Sequence, residues 1–296
     1  MDTPQVLALD IGGTKLAAAV VGPTGGVAAA QRTATPKQND PEVLFTVLAR
    51  LAGAAVAQWR ATGGVGELHA IGVGCGGPMA AGGVTVSPLN IPAWRDFPLP
   101  ARLEQAFSLA AYVDNDAKAL ARAEGWCGAA QEQANYLAMV VSTGVGAGVV
   151  VDGRLVDGAS GNAGHLGHVC VVPDGRRCAC GAQGCLEAEA SGTAIAAMTG
   201  QAPAQAPVEL RQRTGRLVGR AVASAVNLLD LRLALVAGSV GLGFGEVFMA
   251  AAREELAARS CLSFSRGARI AFAGLGHDGP LVGAAAVARH GLGLTP

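Results

Sequence analysis

Apolar positions in the first 35 residues come in three short runs separated by polar turns. QVLALD (5–10), LAAAVV (16–21) and GVAAAQRTA (26–34) each read as a strand, with IGGTK and PTGG as the turns between them. The period then changes. In PEVLFTVLARLAGAAVAQWRAT (41–62), Leu44, Val47, Leu48, Leu51 and Ala55 share one helical face, and Pro41 suits a first turn. Strands are expected at 69–75 and 111–114, a short helix over 98–108, and a helix from Asn115 or Asp116 to about Cys127. The pattern restarts at 136. Strands are expected at 136–143 and 147–152 around a Gly-rich turn, followed by helices at 187–197 and 208–229. A strand at 233–239, a helix at 245–260, a strand at 268–273 and an Ala-rich helix at 280–291 complete it. Meander, helix, strand and helix in each half predict an α/β chain with two similarly built lobes. GQAPAQAP (200–207) reads as a surface loop.

Composition narrows the classes. Of 296 residues, 51% are hydrophobic and 15% charged, which allows a large core and argues against disorder. Formal net charge is zero, so no global field recruits nucleic acid or an anionic membrane. The N-terminus lacks the basic and apolar regions of a signal peptide, and no stretch reads as the roughly 20 apolar residues of a bilayer span. An odd cysteine count of seven, with three in a tight cluster, fits a reducing cytoplasm better than a secreted disulfide framework.

Three Gly-rich turns each follow a strand. ALDIGGTK (8–15) lacks the patterns of a P-loop or a dinucleotide fold, yet its glycines allow close approach to a polyphosphate. Thr14 offers a hydroxyl there, and Asp10 a carboxylate for hydrated Mg2+. An ordinary hairpin turn is the competing reading. STGVGAG (142–148) is the counterpart in the second half, and AGSVGLG (237–243) the third. Together they point to a nucleotide cleft between two lobes. At the strand-to-helix junction VDND (113–116), one of Asp114, Asn115 and Asp116 caps the helix. Asp116 could equally be the base that takes a proton from an attacking hydroxyl, with Asn115 gripping neighbouring hydroxyls.

Cys178, Cys180 and Cys185 form C-x-C-x4-C, with His168 upstream. Three thiolates and an imidazole make a closed tetrahedral zinc site, a reading the spacing favours over a redox pair or structural thiols. Cys170 reads as a buried thiol outside this ligand set. Cys75, Cys127 and Cys261 read as core residues.

LALDIGGTK, VDNDAKALARAEG, VVSTGVGAGVVVDG, the G-x-x-G-H-x9-C-x-C-G-x2-G-C-x-E run and LVAGSVGLG resemble, in this order, the ROK-family sugar kinases. The resemblance covers about residues 5 to 292. It implies an actin/hexokinase-like (ribonuclease H-like) two-lobed fold with a zinc knuckle. The lobes expected are 1–115 plus 280–296, the smaller, and 116–279, the larger. It implies ATP, Mg2+ and structural Zn2+, a sugar substrate, and a homodimer or larger homo-oligomer.

By the same resemblance Asp116 is the catalytic base for a sugar 6-hydroxyl. Asn115, His168 and Glu187 grip other hydroxyls, with Gly77, Asn90 and His165 lining the pocket. Asp10, Gly12, Gly13, Thr14 and Lys15 belong to the first phosphate loop, Thr143, Gly144 and Gly146 to the second. Gly238 and Ser239 belong to the adenosine segment. His168 serves twice, one ring nitrogen on zinc and the other on sugar. ROK repressors carry an N-terminal helix-turn-helix, for which a first loop at residue 10 leaves no room.

Two positions depart from the family pattern. His165 stands where Glu is usual, replacing a pure acceptor with a donor and an acceptor. Some bacterial N-acetylmannosamine kinases that the chain resembles share this His. The expected activity is therefore N-acetylmannosamine kinase first and glucokinase second, with a catalytically inactive sugar sensor as the reading of another class. The segment between Gly192 and Leu217 is shorter than usual, which bears on assembly rather than on the cleft.

Overall fold

The structure, a computed structural model, describes residues 4–294. It divides into two compact units. The first takes the chain as far as Gly128, returns for Asp157–Ala163 and resumes at Leu275; the second comprises Ala129–Val156 and Gly164–Gly274. The lobe boundaries expected at 115/116 and 279/280 differ from this division. The helix after residue 115 stays with the first unit, because it packs on the helix at 279–291: a Cβ at Gly283 would lie 3.1 Å from the Ala119 backbone.

The first unit holds a five-stranded sheet in the order β3-β2-β1-β4-β5. Strands β1 (Gln5–Ile11), β2 (Lys15–Val21) and β3 (Val27–Ala34) form the expected antiparallel meander. Strands β4 (Leu68–Cys75) and β5 (Ala111–Asn115) extend it in parallel beside β1. Strand side chains alternate between faces, and here both faces are covered. Leu7, Leu9 and Ile11 meet helix α1 (Pro41–Ala61), while Val6 and Ala8 meet helix α8 (Gly279–Gly291). Helix α1 is, by length and composition alone, apolar enough to cross a membrane, which the sequence reading had not expected. Its apolar stripe of Leu44, Phe45, Leu48, Ala52, Ala55 and Trp59 is buried in the core. Helix α2 (Leu99–Phe107) closes the same core with Leu99 and Leu103, and α3 (Asp116–Cys127) follows β5 directly.

The second unit repeats the topology. Its sheet runs β10-β9-β6-β7-β8. Strands β6 (Tyr136–Val141), β7 (Val145–Val151) and β8 (Arg154–Leu155) are antiparallel, and β9 (Leu233–Ala237) and β10 (Arg269–Phe272) are parallel to β6. Helices α6 (Val208–Leu229) and α7 (Ser239–Arg259) bury Leu217, Val218, Val222, Phe244 and Phe248 against it. The expected single helix at 187–197 is two, α4 (Leu186–Ala190) and α5 (Gly192–Thr199). Ser191 between them is extended, and its side chain accepts from Ala194 N at 3.1 Å to cap α5.

All seven cysteines are free thiols. Cys75 is buried as expected and Cys127 half-buried, but Cys170 and Cys261 are exposed. Cys170 sits in a single isolated bridge opposite Cys185, with no sheet above it, and Cys261 lies in the loop after α7.

Candidate active site

In the first unit β1 delivers Asp10 to the head of the first Gly-rich loop. Gly12 N donates to Lys15 O at 3.0 Å, and Thr35 Oγ1 donates to Gly12 O at 2.6 Å. Gly13, Thr14 and Lys15 are thereby turned to solvent. Gly13 has to be glycine: a Cβ there would come within 2.7 Å of the Asn90 Cβ. Asn90 is thus placed against the loop, and its neighbour Leu89 donates its N–H to Gly77 O at 3.1 Å. The structure brings Asn90, Gly77 and the first Gly-rich loop together.

The β5–α3 junction resolves which residue caps the helix. Asn115 Oδ1 accepts from Ala117 N at 3.0 Å and Lys118 N at 3.4 Å, so its oxygen is engaged and its amide NH2 is the end that could serve a ligand. Asp116 is the first helical residue, where the helix N-terminus favours its negative charge. Its charge is felt by Asp10. Burial raises the Asp10 carboxyl, Asp116 raises it further, and Lys15 and Arg32 pull it back, leaving it at about 7. Two carboxylates therefore share one neighbourhood, an arrangement that a divalent cation would relieve. Beneath them Cys75 is pushed well above its ordinary range, first by burial and then by Asp116 and Asp10, so it is an inert thiol.

In the second unit the turn between β6 and β7 falls at 142–144, two residues earlier than expected. Ser142 N donates to Gly144 O at 2.9 Å, and Gly146 already belongs to β7, opposite Val140. Thr143 is held through its carbonyl, which accepts from Thr193 N at 3.3 Å and Thr193 Oγ1 at 2.9 Å. Glu187 reaches into this loop: its Oε2 accepts from Val145 N at 2.8 Å, and a Cβ at Gly144 would fall 2.7 Å from that oxygen. Ser142 Oγ and Ser239 Oγ are hydrogen-bonded at 2.9 Å, which places the third Gly-rich segment beside the second. AGSVGLG is mostly the first turns of α7. Gly238 alone forms the turn, with φ 93° and a would-be Cβ 2.4 Å from Val141 O.

His168 ends a one-turn helix, Leu166–His168, and the chain then folds back twice, pairing Cys170 with Cys185 and Arg177 with Gln183. Gly184 permits the crossing, since a Cβ there would sit 1.8 Å from Val172 O. One ligand atom from each of His168, Cys178, Cys180 and Cys185 lies within 4.8 Å of all the others. Tetrahedral zinc requires S···S edges of about 3.8 Å and S···N edges of about 3.6 Å, from its bond lengths. Cys180 and Cys185 Sγ are 3.7 Å apart, and Cys178 Sγ is 3.6 Å from His168 Nδ1. The thiols resist ionising side by side. Burial and the thiols of Cys180 and Cys178 push Cys185 up to about 12, and burial raises Cys178. Cys180 is lowered by the Ala182 N–H. A bound cation would reverse this, so the donor set fits a metal. Nδ1 faces the sulfurs, and Nε2 is the nitrogen left to a ligand. The exposed His165 ring stacks on that of His168, centroids 6.0 Å apart.

A group the sequence reading missed is Glu189, only 2% exposed on α4. Burial raises its carboxyl, but the Arg176 N–H at 2.6 Å and the Arg213 guanidinium outweigh it and hold the group below its usual range. It ties the knuckle to α4 and α6. Two acids in CLEAEA were the available signal, but nothing marks the second as buried.

Residues 6–290 match the ROK family. The chain belongs to the ROK family. A protein named N-acetylmannosamine kinase from Escherichia fergusonii is 36% identical over 81% of this chain and 84% of its own. One of the same name from Citrobacter koseri is 35% identical over 96% and 99%. The crystal structure of a ROK family glucokinase from Streptomyces griseus, in complex with glucose and AMPPNP, is 31% identical. It covers 97% of this chain and 99% of its own with a TM-score of 0.82. This ROK chain thus shares the hexokinase-like fold of the family, two mixed sheets of one topology.

Proposed function

We propose that this protein is an ATP-dependent sugar kinase that phosphorylates the 6-hydroxyl of a hexose or N-acetylhexosamine, N-acetylmannosamine before glucose. One observation carries the reading: in a ROK chain, a carboxylate at the first turn of a helix, Asp116, lies in the electrostatic reach of Asp10 at the head of a Gly-rich loop. Asp116 accepts the 6-hydroxyl proton while that oxygen attacks the γ-phosphorus and ADP departs. Asn115 donates through its NH2 to a neighbouring hydroxyl, and Asn90 and Gly77 lie on the sugar's side of the first Gly-rich loop. His168 Nε2 and the second oxygen of Glu187 address sugar hydroxyls. His165, donor as well as acceptor, selects among substituents.

Asp10 holds Mg2+, whose chemistry is to neutralise charge on the phosphates. Gly12, Gly13, Thr14 and Lys15 receive phosphate, as do Thr143, Gly144 and Gly146, with Gly238 and Ser239 under the adenosine. The knuckle holds one Zn2+ as a structural ion, with no open position. Free thiols throughout suit a reducing cytoplasm, and the family resemblance suggests a homo-oligomer. Glucose is the second candidate substrate, favoured by the glucose-bound Streptomyces griseus relative.

ADP release is to be measured against N-acetylmannosamine, glucose, N-acetylglucosamine, mannose, fructose and allose, with ATP and with polyphosphate as donors. N-acetylmannosamine with ATP should turn over fastest, and Asp116→Asn should lower kcat by about 100-fold or more while calorimetric sugar binding persists. Sugar binding without turnover in the native protein would instead identify a sensor, and no turnover with any sugar would sink the kinase reading.

A further inference from the structure

Lys118 is the most buried ammonium bonded to acids in the described part of the chain, and the phosphoryl transfer as set out above leaves it without a task. Its side chain is 5% exposed. Its Nζ lies 2.9 Å from Asp114 Oδ1 and 2.7 Å from Asp157 Oδ1, and donates to Gly161 O at 3.2 Å. These contacts fall into two groups. The pair with Asp114 closes the β5–α3 junction: Asp114 is the residue before the cap and Lys118 lies one turn on, so Asn115 and Asp116 are bracketed between its ends. Asp114 Oδ1 also accepts from Asn115 N at 2.8 Å, which makes the bracket tight.

The contacts to Asp157 and Gly161 are remote in sequence and seize the 157–163 excursion. That loop has no regular structure and two left-handed glycines, Gly158 and Gly161. It depends on side-chain anchors, and besides Lys118 it has Asn162, whose Nδ2 donates to Met79 O at 3.3 Å. The loop therefore rests on the turn that follows Gly77. A need to neutralise Asp114 does not account for this geometry, since Arg122 Nε already lies 3.6 Å from its other oxygen.

Resting on the kinase reading, we propose that Lys118 is a positioning residue: one ammonium fixes the segment that carries Asn115 and Asp116 and, with it, the 157–163 loop packed on the Gly77 turn. A base and a pocket wall held by one cation keep a constant separation. Misplacement of a reacting group by about 1 Å costs on the order of 100-fold in rate.

Asp157 offers the discriminating variant, because its side chain is 60% exposed and its loss leaves the Lys118–Asp114 pair in place. In Asp157→Asn, kcat with N-acetylmannosamine or glucose should fall about tenfold. The KM for Mg·ATP and the melting temperature should be unchanged, and amide exchange in 157–163 should quicken. Lys118→Met should lose more, and Lys118→Arg should recover part of kcat, since it restores charge with a different fork. If both Asp157→Asn and Lys118→Met keep the wild-type kcat per folded molecule, or if their losses merely track the folded fraction, the inference is overturned while the kinase reading stands. A wild-type protein inactive on the whole sugar panel removes both.

Discussion

Asp10 and Asp116 illustrate how one pair of side chains sets a pH dependence. A carboxyl that ionises at 3.8 in the unfolded chain but near 7 in the fold keeps its proton longer when folded. The native state binds more protons between those values, so this group's contribution to stability falls as pH rises from about 4 to about 7. Asp10→Asn should remove that slope from melting temperatures measured without divalent cation. The same titration governs the cation. Mg·nucleotide affinity should weaken as pH drops below 7, because the ligand must displace a proton, and Asp10→Asn should both weaken binding and flatten its pH profile. Calorimetry in buffers of different ionisation enthalpy would count the proton released; none released would contradict the assignment. Asn115 carries a lesson at the same scale. Three candidates for the cap stand side by side in the sequence, and only the hydrogen bonds from Ala117 and Lys118 show that Asn115 holds the position, with Ala117 N also reaching Asp116 Oδ1 at 2.9 Å.

Among the elements, the Cys/His knuckle is a short double-back that hangs on Glu189. Its lowered carboxyl means stability that is present above the unfolded value of 4.5 and lost as pH falls through the folded value. Glu189→Gln should therefore flatten the acid limb of unfolding. Glu189→Ala should cost about 1–3 kcal/mol in denaturant midpoints, the lower range applying because Arg213 is 35% exposed. Most elements were legible from period alone: β1 to β3, α1, α6 and α8 stand where alternation and the 3.6 repeat put them. The misses have local causes. Strand β8 is two residues long and leaves no period to read. Helix α7 begins at Ser239, six residues before the expected start, but it breaks at Gly245 (φ 61°, ψ −149°), where the expected helix was to begin. The extra leading segment contains Gly241 and Gly243, which disfavour helix by propensity, while burial of Val240 and Phe244 overrides them. The break at Ser191 was hidden because a serine inside a helical pattern looks tolerable until its side chain is seen capping the next helix.

For the molecule as a whole, the candidate residues were legible by type, but their linkages were not. Glu187 was expected at the sugar; its bond to Val145 at the start of β7 spans 42 positions and leaves no trace in local pattern. The Cys/His cluster was readable because these residues are sparse and closely spaced, whereas Lys118 and Glu189 look like ordinary surface charges until their remote partners are known. Metal removal tests the division into units. With a strong chelator, amide exchange should quicken across 165–187 and spread through β6, β7 and α6, while β1, β2 and β4 keep their protection. Uniform loss of protection in both sheets would show that the units unfold as one.

The covering of the first sheet by α8 bears on the order of events at the ribosome. Val6, Ala8, Ala17, Ala19, Val21 and Ala70 are all synthesised early, and their apolar face is closed by Leu281, Ala284, Ala285 and Ala288. More than two hundred residues are translated between the first strand and its lid. Until α8 is made, that face of the nascent sheet has no helix to cover it, and its small side chains are what later let the helix settle closely against the strands: a Cβ at Gly72 would lie 1.9 Å from Ala284 O.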